Sequence, residues 1–473
     1  MLAACAGAVM RTKGGATIPA MSNLNAVRPF IPLRTLTAAA LAIALIHGPA
    51  SARELTPEET VQATAVLAAA PDHGLPAPDL SKAPIEDAIV AYAAAQRGGR
   101  IDPVATDADW ALKPEPFDAE AGLEKALDAN GLAAWLAALP PDHSRYGALV
   151  EARRRYARLA AAGGWASPAP TLGLKRGLTG KGVIYLRRRL EAEGYGAVPD
   201  KAPNLFDAGL DQALRLFELR HDLKQDGVVT APVLAALATT PQALLAVIDA
   251  NLERWRWTPR DLPDQRIEVN IAAARLTLFQ GVTPVLDMRT VVGDPAHRTT
   301  MFASQATGVV INPPWNVPAD IAAKELFPRE AREPGYLARN DYVVVNGMIR
   351  QKAGPLSALG HVKVELDDPY EIYLHDTPER TLFAHSDRAL SHGCVRLEHP
   401  VELAAALLAP QDHTIDDLQA LIAATATRHI PLKTHVPTYL FYWTAVANDD
   451  GTVSFHPDRY GWDARLNAAL AAL

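Results

Sequence analysis

The stretch Arg266-Ile267-Glu268-Val269-Asn270-Ile271, followed by Leu276-Thr277-Leu278-Phe279, is where the chain changes its period. Ile267, Val269 and Ile271 alternate with polar neighbours, which is the two-residue repeat of a half-buried strand, and the second run supplies a hairpin partner. Further apolar strand candidates follow at Val309 to Ile311, Tyr342 to Val345, His361 to Glu365 and Ile372 to Leu374. Together they predict an antiparallel sandwich or barrel-like sheet over residues 265–405. Pro313-Pro314-Trp315 to Arg339 interrupts the pattern with a helical stretch near Ile321 to Phe327 and proline-rich ends. This insert, 313–339, is expected to fold over the sheet as a lid.

Outward from that boundary, residues 54–165 read as helical. Thr56-Pro57-Glu58-Glu59 combines an N-cap, a proline at the first helical position and a capping-box glutamate. Alanine-rich amphipathic runs recur at Ile85 to Ala95, Ala119 to Leu127 and Tyr146 to Ala162, and Gly163-Gly164 opens a linker. In 174–238, Val183, Leu186 and Leu190 share one helical face, and Leu210, Ala213, Leu214 and Phe217 share another. A turn at Leu223 to Val229 leads into a third helix near Ala231 to Leu237. This stretch resembles the three-helix peptidoglycan-binding module. The chain is therefore expected to be α+β and multi-domain, with residues 406–473 as an extension packing on the scaffold or the β domain.

At 473 residues the chain exceeds one core, and 49% apolar with 21% charged residues suits folded domains. Its 46 basic and 53 acidic residues lack the basic excess of a nucleic-acid binder. Residues 1–52 read as a signal peptide: Arg28 and Arg34 precede the apolar run Leu36 to Ile46, and Ala50-Ser51-Ala52 suits a peptidase cleft before Arg53. Met21 begins a normal leader, so translation is expected to start there. Export to the periplasm follows, with no integral membrane segment after cleavage. The two cysteines are Cys5, lost with the leader, and Cys394. A lone thiol in an exported chain is either inert or kept for its reactivity.

In Ile372-Tyr373-Leu374-His375-Asp376-Thr377-Pro378, strand alternation puts Tyr373 and His375 on one face and turns His375 away from the core. Downstream, Ser391-His392-Gly393-Cys394-Val395-Arg396-Leu397 sets the thiol beside a glycine and two potential cations, which favours a thiolate. A catalytic thiol needs a base or a positive field, and backbone N–H groups for an acyl oxyanion. Gly393 permits that close approach.

A strand-end histidine followed by Ser-His-Gly-Cys-Val-Arg resembles the active-site motif of the L,D-transpeptidases. Glu253 to Trp257, Arg350-Gln351 through Gly360, and Pro431 to Asp463 also resemble the larger, scaffold-bearing members. Alanine at Ala353 and serine at Ser357 depart from that subgroup's usual proline and asparagine, and put acceptor-side detail in question. The resemblance implies Cys394 as nucleophile, His375 as general base and the Asp376 carbonyl as its orienter. Gly393 and Cys394 N–H groups would form the oxyanion hole, Arg396 would bind a substrate carboxylate or order the loop, and His392 would support. It further implies no cofactor or metal, peptidoglycan stem peptides and other cell-wall enzymes as partners, and acylation by carbapenems. Two rival readings stand beside it. One is a zinc site drawn from His375, His385, His392, Cys394 and His399; the other is an inactive wall-binding scaffold.

Overall fold

A computed structural model describes residues 53–165, 172–197 and 202–473. The expected signal peptide lies outside the described residues. Helix α1 (Pro57–Ala68) starts where the capping box predicts: Thr56 Oγ1 accepts from the Glu59 N–H, and Glu59 accepts from the Thr56 N–H at 2.9 Å. Such a cap stabilises by about 1 kcal/mol. With α2 (Ile85–Gly98), the one-turn α3 (Pro103–Thr106), α4 (Ala119–Asp128) and α5 (Leu132–Ala137), it makes a helical layer whose core holds Leu67, Ile89, Leu123 and Leu136.

Helix α6 (Ser144–Ala161) does not share that core. It packs with α10 (Pro241–Trp257) into the hydrophobic interior of the β domain, bringing Tyr146, Leu149, Trp255 and Trp257 to it. The run Glu253 to Trp257 is the junction. Its charges are buried and paired, Arg256 with Glu253 at 2.8 Å and Arg254 with Asp463 at 2.5 Å, and Glu253 also accepts from the Ile101 N–H.

Three further helices, α7 (Lys181–Ala192), α8 (Ala208–Arg220) and α9 (Ala231–Ala238), enclose a separate core. Val183, Leu186 and Leu190 meet Leu210, Leu214 and Phe217 there, as their spacing predicts. This module is docked. The Tyr156 hydroxyl donates to Glu193 at 2.9 Å, His456 meets Asp222 at 2.7 Å and Arg220 meets Asp450 at 2.9 Å, while Glu193 also pairs with Arg189 within the module.

The main sheet is built from β1 (Gln265–Asn270), β2 (Arg275–Gln280), β3 (Thr283–Gly293) and β4 (Phe302–Ile311). A small separate sheet holds β5 (Trp315–Asn316), β6 (Tyr342–Val345) and β7 (Met348–Gln351). The main sheet resumes with β8 (Val362–Leu366), β9 (Leu374–His375), β10 (Ala389–Ser391), β11 (Val395–Leu397) and β12 (Arg428–Phe441). Its order is β10-β3-β11-β9-β8-β4-β12-β1-β2, and the long β3 also pairs with β2, which closes the sheet into a ring. Most pairs are antiparallel; β1 with β12, β3 with β10, and β9 with β11 are parallel.

Two sequence expectations change here. Tyr342 to Val345 is a strand, but it pairs with β7 in the small sheet, so the insert runs beyond Arg339 to Gln351. That insert has its own core of Val317, Ala322, Leu326 and Ile349, and a helical stretch of α11 (Ala319–Ile321), a π turn over Ala322–Leu326, α12 (Phe327–Arg332) and α13 (Tyr336–Arg339). Likewise β12, which lies beyond residue 405, is a central strand between β4 and β1. Pro431 and Pro437 hid it, since proline breaks a strand pattern. The ladder to β4 tolerates them with a register shift between Pro431 and Val436. Helices α14 (Pro400–Leu408) and α15 (Ile415–Ala423) cover the sheet before β12, and the hairpin β13 (Ala445–Ala447) to β14 (Val453–Phe455) and α16 (Trp462–Ala471) follow it.

Candidate active site

The parallel pairing of β9 with β11 builds the site. Leu374 lies opposite Val395 and His375 opposite Arg396, and the Val395 N–H donates to the Tyr373 carbonyl at 3.1 Å. Because both strands run the same way, Cys394 enters beside Tyr373, two residues before His375. All three line one cleft of about 870 Å³, whose roof is the insert, through Trp315, Ile321 and Glu325.

His375 is turned away from the Leu374 core as alternation requires, yet it is not at an open strand end: it is buried, 5% exposed, between β8 and β11. Its Nδ1 lies 2.6 Å from the Asp376 carbonyl oxygen. A carbonyl only accepts, so Nδ1 holds the proton and Nε2 keeps its lone pair. Burial, reinforced by the Arg396 charge, pushes the imidazole down to about 3. The ring is therefore neutral at physiological pH, with its Nε2 lone pair free to accept a proton.

Cys394 departs from the thiolate expectation. Burial pushes its thiol up, against an opposing influence of neighbouring Tyr373. The neighbouring basic side chains do not serve the sulfur: His392 Nε2 meets Glu325 Oε1 at 2.6 Å and Arg396 pairs with Glu379 at 2.5 Å. The resting pair is thus a neutral thiol and a neutral imidazole. The Cys394 thiol contacts the Glu371 carbonyl at 3.7 Å.

Gly393 has φ +109°, a region L side chains avoid, so glycine is required there. Its carbonyl accepts from Thr299 at 2.7 Å, and its N–H donates to Ser391 Oγ at 3.2 Å. Ser391 in turn donates to the Cys394 carbonyl at 2.6 Å. One of the two N–H groups expected to hold an oxyanion is therefore occupied at rest, whereas that of Cys394 has no acceptor among the described residues.

The sequence assigns no role to Tyr373 or Trp315. Both line the cleft beside Cys394, and the Tyr373 ring lies 4.6 Å from Lys363 Nζ. The shared strand face of Tyr373 and His375 was the available signal. The five residues of the rival zinc reading do not converge. Among the described residues no three His, Cys, Asp or Glu side chains are placed to hold one ion.

Three family models match the chain: an L,D-transpeptidase catalytic domain over residues 264–415, a scaffold domain over 57–152 and a "Putative peptidoglycan binding domain" over 179–237. A Haemophilus influenzae protein named "Putative L,D-transpeptidase" is 33% identical over 233 residues, which is 44% of this chain and 47% of that protein. The match spans about half of the relative's length. Among solved structures, an L,D-transpeptidase from Xylanimonas cellulosilytica is 16% identical with a TM-score of 0.20, covering 58% of this chain and 100% of that one. One from Mycobacterium smegmatis is 14% identical with a TM-score of 0.20, covering 37% and 58%. Overlays this loose add nothing to the geometry above.

Proposed function

Taking as premise that this chain carries an L,D-transpeptidase catalytic domain, we propose that it remodels peptidoglycan by two-step acyl transfer on Cys394. The observation that carries this reading is the pairing in one cleft of a thiol with an imidazole whose Nδ1 is tied to a carbonyl, leaving Nε2 as the acceptor. Nε2 takes the thiol proton as sulfur attacks the carbonyl at the L-centre of diaminopimelate in a donor stem. The C–N bond to the terminal D-alanine breaks, and that amine leaves with the proton from His375. A thioester remains. An acceptor amine then attacks the thioester, His375 removing its proton, and the thiol is restored as the new amide forms. Water in place of the amine gives L,D-carboxypeptidase activity.

The free Cys394 N–H is the first oxyanion donor. Gly393 joins it when Ser391 gives up its N–H. Arg396, held by Glu379, sets the electrostatics beside the imidazole and offers a cation to a substrate carboxylate. The insert closes over the stem peptide as a lid, and the docked helical module, with 179–237 matching a binding domain, holds the enzyme on the wall in the periplasm. None of these steps asks for a cofactor.

Incubation with a disaccharide tetrapeptide, read by mass spectrometry, tests the reading. The wild type is expected to release D-alanine and form a cross-linked dimer, and imipenem should add one mass increment on Cys394. Cys394→Ala should do neither. Wild-type-like turnover by Cys394→Ala would refute the nucleophile, and a wild type that is never acylated would favour the inactive scaffold.

A further inference from the structure

Asp376 is read above through its backbone, but its side chain is bound more completely than a surface acid needs. Oδ1 accepts from the Thr377 N–H at 2.7 Å and from Arg380 Nη1 at 3.1 Å; Oδ2 accepts from the His361 N–H at 2.8 Å. Arg380 also donates to the Leu397 carbonyl at 3.2 Å and to the Glu398 carbonyl, at the end of β11. Room for the carboxylate comes from Gly360. With φ +59°, a Cβ there would stand 2.3 Å from Oδ2 and 2.4 Å from Cγ, so an alanine would displace the group.

The geometry of one peptide unit gives this binding its meaning. The Asp376 carbonyl that receives Nδ1–H of His375 and the Thr377 N–H that the carboxylate grips belong to the same planar unit. Holding the N–H on one side holds the C=O on the other. The carboxylate is itself fixed from β8, through His361, and from the β11 end, through Arg380. The clamp therefore references the imidazole to both strands flanking it, one of which starts beside the thiol.

We propose that the Asp376 carboxylate is a positioning residue for the general base, locking the Asp376–Thr377 peptide so that its carbonyl selects the His375 tautomer with Nε2 free toward Cys394. This rests on His375 being the base, as proposed above. Without the clamp the peptide rotates, Nδ1 loses its acceptor and the imidazole no longer presents a fixed lone pair. Attack then depends on thiolate formed by the solvent.

The test is the second-order rate of Cys394 acylation by imipenem from pH 5 to 10, for the full chain as wild type, Asp376→Asn, His375→Ala and the double variant. Asp376→Asn is expected to be slower by about 10- to 100-fold at pH 7, the range seen when the outer-shell partner that orients a metal-bound histidine is removed. The deficit should shrink as pH rises toward 10 and a growing fraction of the thiol ionises without the base. In the His375→Ala background, Asp376→Asn should cost no more than about twofold, since residues acting through one another are not additive. Gly360→Ala should reproduce the pH-dependent deficit with the carboxylate intact. A deficit of equal size at every pH, or the full deficit again in the double variant, would overturn the proposal and assign Asp376 to general stability. A wild-type rate for Asp376→Asn would also overturn it. An unimpaired His375→Ala would remove the base itself, and this inference with it.

Discussion

Replacing Glu325 by alanine cuts the hydrogen bond through which the lid helix holds the cysteine loop. Glu325 lies in the π turn of the insert, and its Oε1 sits 2.6 Å from His392 Nε2, two residues before the thiol. His392 is braced from behind by His297, with ring centroids 4.6 Å apart, and His297 by Asp294 at 3.1 Å. The side chains are 49% and 35% exposed, so water competes for the bond. That places its net worth at the lower end of the usual range, about 0.5–1 kcal/mol. If lid closure accompanies binding, the closed fraction falls by about two- to fivefold, which is the same energy as a ratio. Steady-state kinetics on a donor tetrapeptide should show KM raised by that factor, while imipenem acylation, which needs little of the lid, stays near wild type. Glu325→Gln keeps an acceptor oxygen and should fall between the two. A KM for Glu325→Ala indistinguishable from wild type, or a larger effect for Gln than for Ala, would refute the latch.

The acylation rate of the wild type should be flat from about pH 4.5 to 8, because His375 is already neutral above about 3; a tenfold fall per unit below pH 6.5 would show an ordinary imidazole instead. Stability should respond where activity does not. His375 is held at about 3, and His73 and His143 at about 4, all by burial, so between about 6.5 and 3 the unfolded chain binds protons that the folded one refuses. Stability contributed by these neutral rings is present above the unfolded value and lost as pH falls; a urea midpoint at pH 5 equal to or above that at pH 7 would contradict this. Glu193→Ala strands Arg189, whose side chain is 2% exposed, and removes the Tyr156 contact. A loss of about 3–5 kcal/mol is expected for an orphaned buried charge, read as a lower midpoint for the transition of the helical module; an unchanged transition would mean that Glu193 and its bonds to Arg189 and Tyr156 carry no stability.

Local rules made much of this protein legible. The Thr56 cap, the two apolar faces of the three-helix module and the alternation through Ile372 to His375 each depend on residues near in sequence, and the folded chain keeps them. What escaped depended on distant partners. Gly393 reads as a free N–H donor until Ser391 Oγ is seen to take it, and Arg396 and His392 read as cations near sulfur until Glu379 and Glu325 are found beside them. Tyr342 to Val345 has the composition of a strand, but composition cannot say which sheet it joins. In β12 the prolines spoil the pattern while a register shift in the folded ladder absorbs Pro431.

The place of β12 also bears on how the chain emerges during synthesis. β1 and β4 are translated long before the strand that separates them, so two edges stand open until Phe441 has left the ribosome. Unpaired edges recruit other chains. Until residue 441 is made the nascent protein is a sticky, incomplete ring, and its thiol, present only from residue 394 onward, precedes the strand that seals the barrel. A nonsense mutation before Phe441 would yield a product that retains every residue of the reactive motif once past Leu397, yet cannot assemble the staves that hold it, and aggregation rather than stray acyl chemistry would be its fate.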